Sequence, residues 1–129
     1  SWACAALPTC QGAYIPGMDL KNGFNLNQEV GPNYLYGLLD NPARVAIHYS
    51  HRVSAILLTI IFLILMSKLW FSVAAPMAST LGILLLTQIT LGIINVVYVL
   101  PLYVAIGHNL VAALLLLAVF SVNHLAWKK

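Results

Sequence analysis

The chain has 129 residues, of which 61% are hydrophobic and only 7% are charged, and its formal net charge is +3. A soluble domain carries about 25% charged residues, so this composition excludes a water-soluble globular protein and indicates an integral membrane protein. The 6 Lys and Arg residues form no basic stripe, and we therefore expect no nucleic-acid partner.

Residues 1–43 differ in composition from the rest of the chain. They hold both cysteines, four of the six prolines, five of the eight glycines and all three acidic residues. Such a concentration of turn formers predicts an N-terminal loop outside the hydrocarbon, with at most a short helix around residues 19–26 or 34–39. The chain begins at Ser1 without the charged and apolar segments of a signal peptide. We therefore expect either a processed start or a longer protein.

Three apolar runs follow the loop, at about residues 44–69, 74–100 and 102–127. Each is long enough to cross a bilayer as a helix, which needs about 20 apolar residues. Pro76 falls in the first turn of the second run, where a missing N–H is tolerated, and Pro101 separates the second run from the third. The sequence predicts an all-α membrane protein in which residues 44–129 form a helical bundle.

The positions of the lysines predict the orientation of these spans. Lys68 lies at the end of the first run, and Lys128 and Lys129 follow the third, whereas the charges of residues 1–43 are balanced. Because positive residues favour the cytoplasmic side, we expect the C-terminus in the cytoplasm and the N-terminal loop on the outer face.

Cys4 and Cys10 lie six residues apart in this loop, with Pro8 between them. An outer face is oxidising, so a local disulfide is the natural interpretation. The bond is either a staple for the loop or a redox-active pair. A metal site is the weaker alternative, because no His or further Cys lies close in sequence.

Two histidines are predicted to lie at the same depth in the membrane. His51 is about seven residues into the first span and His108 about six into the third, which places both roughly 10 Å below the outer surface. An ionisable side chain within the bilayer is costly and indicates function. Two imidazoles from facing helices are suited to bind a haem iron as axial ligands, although hydrogen-bonded packing histidines remain the alternative.

Other polar side chains are candidates for the same pocket. His48 lies three residues before His51, on nearly the same face, and is suited to an alternate ligand, a proton relay or a propionate partner. Arg52 either snorkels to the surface or pairs with a propionate. Asn95 and Gln88 are seven residues apart on one face of the second span, where they either tie helices together or edge the pocket.

Several short segments resemble the haem A synthase family in its proteobacterial form. The outer loop and the start of the first span match at residues 8–12 (PTCQG), 15–19 (IPGMD), 24–25, 31–35 and 39–52. The last two spans match at residues 88–93 (QITLGI), at Asn95 and at residues 107–109 (GHN). The His51–Arg52 pair and the loop segment are the more specific parts of the resemblance.

The resemblance implies a fold of eight helices built as two four-helix halves, each with a histidine pair that can bind haem. It implies conversion of haem O to haem A by oxidation of a ring methyl to a formyl group, in support of cytochrome oxidase assembly. By this matching His51 and His108 are the axial pair of one half. A glutamate stands three residues before the first ligand in the family's catalytic half, and here that residue is His48. This difference favours the C-terminal, haem b half, with one helix of the half and the whole N-terminal half outside this chain.

The implied cofactor is haem b, or haem O or A, with its iron. The implied partners are membrane lipid, the N-terminal half of the same protein, an electron donor and a second copy in a homo-oligomer. The implied location is the bacterial inner membrane, as a multi-pass protein with residues 1–43 in the periplasm. No catalytic residue is assigned.

Three other functions remain open from the sequence. A small membrane cytochrome b would use the same two histidines only to carry electrons. A quinone-linked thiol oxidoreductase would use Cys4 and Cys10, but such enzymes tend to need a second cysteine pair, and this chain has 2 cysteines. A plain membrane subunit would bind no chromophore.

Overall fold

The computed structural model describes residues 2–4, 7–25, 40–72 and 75–128. The predicted short helix at 34–39 and the family-like segment at 31–35 lie outside these residues. The described elements are a 3-10 turn (Trp2–Cys4) and four helices, namely α1 (Leu20–Gly23), α2 (Asn41–Trp70), α3 (Ala75–Val97) and α4 (Leu102–Trp127). Within this part of the chain no strand forms, and α2, α3 and α4 are each long and apolar enough to cross a membrane. The predicted fold class is therefore confirmed.

The chain divides into two compact units, residues 1–54 and 55–129. The first unit contains the N-terminal loop, α1 and the beginning of α2. Its small core is formed by Ala3, Cys4, Cys10 and Val45, and Met18 packs against it. The loop is thus anchored by apolar contacts to the first turns of a long helix.

Helix α1 is held against the start of α2 by its cap and by a glycine. The Asp19 carboxylate accepts a hydrogen bond from the backbone N–H of Asn22 at 3.0 Å, which lowers the pKa of that carboxyl. The backbone N–H of Asp19 in turn donates to the carbonyl of Pro42 at 3.1 Å. A Cβ on Gly23 would lie 2.9 Å from the carbonyl oxygen of Ala43, so this close approach requires glycine.

Helix α2 begins three residues before the predicted start at residue 44. The reason is a cap: the Asp40 carboxylate accepts a hydrogen bond from the N–H of Ala43 at 3.2 Å, and the Asp40 carbonyl accepts from Arg44 at 3.1 Å. Pro42 fits in this first turn because its missing N–H has no partner there. With 30 residues α2 is about 45 Å long, more than the hydrocarbon thickness of about 30 Å.

The second unit is built on the packing of α3 against α4. Its core consists of Leu81, Leu85, Leu115 and Val122, and side chains of α2 such as Phe62 pack against it. The remaining large apolar side chains of the three helices are mostly exposed, for example Ile83, Leu86, Leu116 and Phe120. An apolar exterior on helices of this length is the surface that membrane lipid covers.

Helix α3 ends at Val97, three residues before the predicted limit at residue 100. Val99 and Leu100 both have positive φ, at 56° and 61°, which reverses the chain before α4. The N–H of Leu100 donates to the carbonyl of Asn95 at 2.8 Å and closes the end of the helix. The sequence does not reveal this turn, because β-branched and bulky residues rarely adopt the left-handed conformation. Helix α4 follows directly and spans Leu102–Trp127, as the third apolar run does.

Candidate functional site

The predicted site residues fall into two groups, one in each unit. His48, His51 and Arg52 lie on α2 in the first unit, whereas Asn95 and His108 lie on α3 and α4 in the second. The pairing of His51 with His108 on one iron therefore stays a prediction, and each group is described separately.

The ring of His108 is held between α4, which carries it, and α3. The Nε2 atom of Gln88 lies 3.2 Å from the Nε2 atom of His108. An amide nitrogen can only donate a hydrogen bond, so the His108 Nε2 accepts with its lone pair and the ring proton lies on Nδ1. An imidazole in this state has at Nε2 the lone pair with which histidine binds iron.

Gly92 makes room for the same ring. A Cβ added at this position would lie 3.2 Å from Cε1 and 3.8 Å from Nδ1 of His108. Since 3.2 Å is tighter than ordinary van der Waals contact, any side chain at residue 92 would press on the imidazole. The one-turn spacing from Gln88 to Gly92 places the glycine and the amide on the same face of α3.

Two carboxamide oxygens are buried on this face of α3. Asn95 is only 9% exposed, and its Oδ1 has no hydrogen-bond partner among the described residues. The Oε1 of Gln88 is likewise buried without such a partner. Because buried acceptors are normally satisfied, we expect a donor from outside the described residues to reach them. This part of α3 and α4 fits a site for a bound group that a histidine ligates. It offers the imidazole of His108, the space beside Gly92 and two buried acceptors.

The α2 group presents two imidazoles with different surroundings. His48 is half-buried, and its Nδ1 has no hydrogen-bond partner within the described part of the chain. The side chain of His51, three residues further on, is exposed on the helix. His51 remains the predicted α2 ligand, with His48 as the alternate.

Arg52 holds the cysteine loop. Its Nη1 donates to the carbonyl of Thr9 at 3.2 Å and its Nη2 to the carbonyl of Cys4 at 2.9 Å. The sulfur atoms of Cys4 and Cys10 lie within bonding distance, and their Cα atoms are 4.7 Å apart, a separation that a disulfide allows. The guanidinium thus fastens both ends of the loop that the cysteines close. The contact of Arg52 with a propionate stays a prediction.

Replacing Arg52 with methionine should loosen this loop. The variant would lose two charge-assisted hydrogen bonds. Because both are partly exposed to solvent, their loss should destabilise the closed loop by only about 1 kcal/mol. We expect the Cys4–Cys10 pair to be reduced about fivefold faster by a soluble thiol, as measured by the rate of maleimide labelling. Lys21→Met, which removes an exposed cation of α1, is the matched control. Equal labelling rates in the two variants would contradict this role of Arg52.

The other titratable residues form no cluster of metal ligands within the described ranges. No group of three or more His, Cys, Asp or Glu side chains gathers there in a metal-binding arrangement. His124 lies at the end of α4, where its ring stacks on Phe120 with centroids 6.5 Å apart.

Comparison with known proteins identifies the chain's relatives. The sequence profile described as COX15-CtaA, cytochrome oxidase assembly protein, matches residues 1–120. The chain is 40% identical over 128 residues to the Heme A synthase of Shewanella oneidensis, an alignment that covers 98% of this chain and 39% of that protein. The chain therefore spans about two fifths of the length of this relative. No solved structure matches it.

Proposed function

We propose, for a chain that belongs to the COX15-CtaA family of cytochrome oxidase assembly proteins, that it is the haem-binding part of a haem A synthase. Such an enzyme is an oxidoreductase that converts haem O to haem A by oxidising a ring methyl to a formyl group. The observation that carries the proposal is the 40% identity to a Heme A synthase over 98% of the chain. The position of His108, whose Nε2 lies 3.2 Å from the Gln88 amide nitrogen between two apolar helices, supports it from the structure.

Haem b is the proposed cofactor, and His51 and His108 would hold its iron. Bound haem would supply one-electron redox chemistry within the membrane. Gly92 leaves room for the ring of His108, and the buried carboxamides of Gln88 and Asn95 give the α3 face its polarity. His48 and Arg52 are the proposed polar partners for propionate groups at the α2 side.

The outer loop has a separate, structural part in this proposal. We assign Cys4 and Cys10 to a disulfide that keeps the loop closed, with Arg52 donating to its carbonyls. Residues 1–43 are proposed to face the periplasm, and the C-terminus the cytoplasm, of a bacterial inner membrane. The lipid of the membrane covers the apolar helices. The further partners that we propose are the remaining part of the synthase, an electron donor and a second copy of the protein.

A chimeric enzyme tests the proposal. The aligned part of this chain would replace the matching segment of the Shewanella protein in cells that lack their own synthase, and haem would be extracted and separated by chromatography. We expect haem A from this chimera and from its His124→Ala variant, and none from its His108→Ala variant. A chimera that is inserted and binds haem b but forms no haem A would contradict the proposed function.

A further inference from the structure

We propose that Gln88 is a positioning residue for His108, whose carboxamide holds Nε2 in the haem-free protein and is displaced when iron takes that nitrogen. This inference rests on the proposed function, because it requires His108 to be an iron ligand. It adds to that function a residue that sets how readily haem binds.

The hydrogen bond of Gln88 uses the same atom, the Nε2 of His108, that would bind iron. The Gln88 amide nitrogen lies 3.2 Å from the His108 Nε2, and it must be the donor in that hydrogen bond. The bond therefore selects the tautomer with the proton on Nδ1, which is the tautomer that can bind a metal through Nε2. One lone pair cannot serve the amide and the iron together, so binding of iron requires the amide to leave.

The surroundings indicate that Gln88, and not the imidazole, is the group that moves. The ring of His108 packs beside Gly92, where an added Cβ would approach Cε1 to 3.2 Å, and its attachment to α4 leaves it two rotatable bonds. The side chain of Gln88 has three rotatable bonds and can turn away. Its neighbours Thr87 and Thr90 donate their hydroxyls within α3, to Ile83 and Leu86, whereas Gln88 reaches across to α4.

The carboxamide of Gln88 is expected to weaken haem binding. An interaction made only in the haem-free state lowers the free energy of that state and weakens haem binding by the same factor. A hydrogen bond between side chains contributes a net amount that corresponds to about two- to tenfold in an equilibrium constant. Removing the carboxamide should therefore strengthen haem binding by about two- to tenfold.

Haem titration of the haem-free protein in detergent, followed by visible absorbance, provides the first test. Gln88→Met keeps the length of the side chain but removes its donor, and we expect it to bind haem about two- to tenfold more tightly than the unaltered protein. Thr87→Val is the matched control, because this exposed hydroxyl bonds only within its own helix, and its affinity should be unchanged. Weaker or equal binding by Gln88→Met would overturn the displacement.

Nitrogen NMR of the haem-free protein, labelled in its histidines, provides a second test that needs no variant. We expect the Nε2 of His108 to show the shift of an unprotonated acceptor nitrogen, and Gln88→Met to move it towards that of a protonated one. A protonated Nε2 in the unaltered protein would overturn the proposal. A protein that takes up no haem would refute the proposed function and the displacement step, while the nitrogen shifts would still report whether Gln88 sets the tautomer.

Discussion

Alanine at either His51 or His108 should abolish stable haem binding, while alanine at His124 should leave it intact. Loss of a residue that only supports a metal ligand typically costs 10- to 100-fold in affinity, so loss of an axial ligand should cost more than about 100-fold. The reduced-minus-oxidised visible spectrum of the purified variants measures this directly. His124 is a suitable control because it lies at the far end of α4, stacked on Phe120.

His48→Ala decides which α2 histidine is the ligand. His48 and His51 are three residues apart on one helix, and a one-turn error would exchange their roles. If His48→Ala lost the haem spectrum and His51→Ala kept it, the assignment of His51 would be wrong. Loss in both His51→Ala and His108→Ala, with retention in His48→Ala, is the expected result.

A side chain at residue 92 should have the second-largest effect. Valine in place of Gly92 would put atoms within about 3.2 Å of the His108 ring and push it from its position. Overpacking of this kind costs about 1–3 kcal/mol, so we expect haem affinity to fall about tenfold or more. Haem titration measures the loss of haem affinity, and the thermal unfolding midpoint of the haem-free protein measures the cost of overpacking to its stability.

Gly107→Ala and Gly92→Ala form a matched pair for this prediction. Both replacements favour the helix by about 0.5–1 kcal/mol, because glycine is entropically costly within a helix. A Cβ on Gly107 would meet Leu91 at 3.8 Å, an ordinary contact, whereas one on Gly92 would meet the imidazole at 3.2 Å. Gly107→Ala should therefore keep its haem affinity and Gly92→Ala should not. Equal behaviour of the pair would show that Gly92 does not seat the ring.

The three long helices could be predicted from the sequence because length and hydropathy alone decide which segments can span a bilayer. The residues at which these helices begin and end were harder to predict. The start of α2 depends on the cap by Asp40, and the end of α3 depends on left-handed backbone at Val99 and Leu100. A cap can be recognised from an acidic residue before an apolar run. The turn at Val99 cannot be recognised in this way, because valine and leucine rarely adopt a left-handed backbone conformation.

The sequence singles out the histidines of the candidate site, but it does not reveal the contacts that hold His108 and Arg52 in the structure. An imidazole within an apolar run stands out by composition, and the spacing of Gln88 and Asn95 places both on one face of α3. The partner of Gln88 depends on the register between α3 and α4, which no local pattern records. The partners of Arg52 are carbonyls more than forty residues earlier in the chain, and backbone acceptors carry no sequence signature.

Electron paramagnetic resonance of the ferric, haem-loaded protein tests most directly the claim that two histidines of this chain hold one haem. We expect a low-spin signal with the g-values of two axial imidazoles, together with haem b as the extracted pigment. A high-spin ferric signal, or a low-spin signal with sulfur as one axial ligand, would contradict the pairing of His51 with His108.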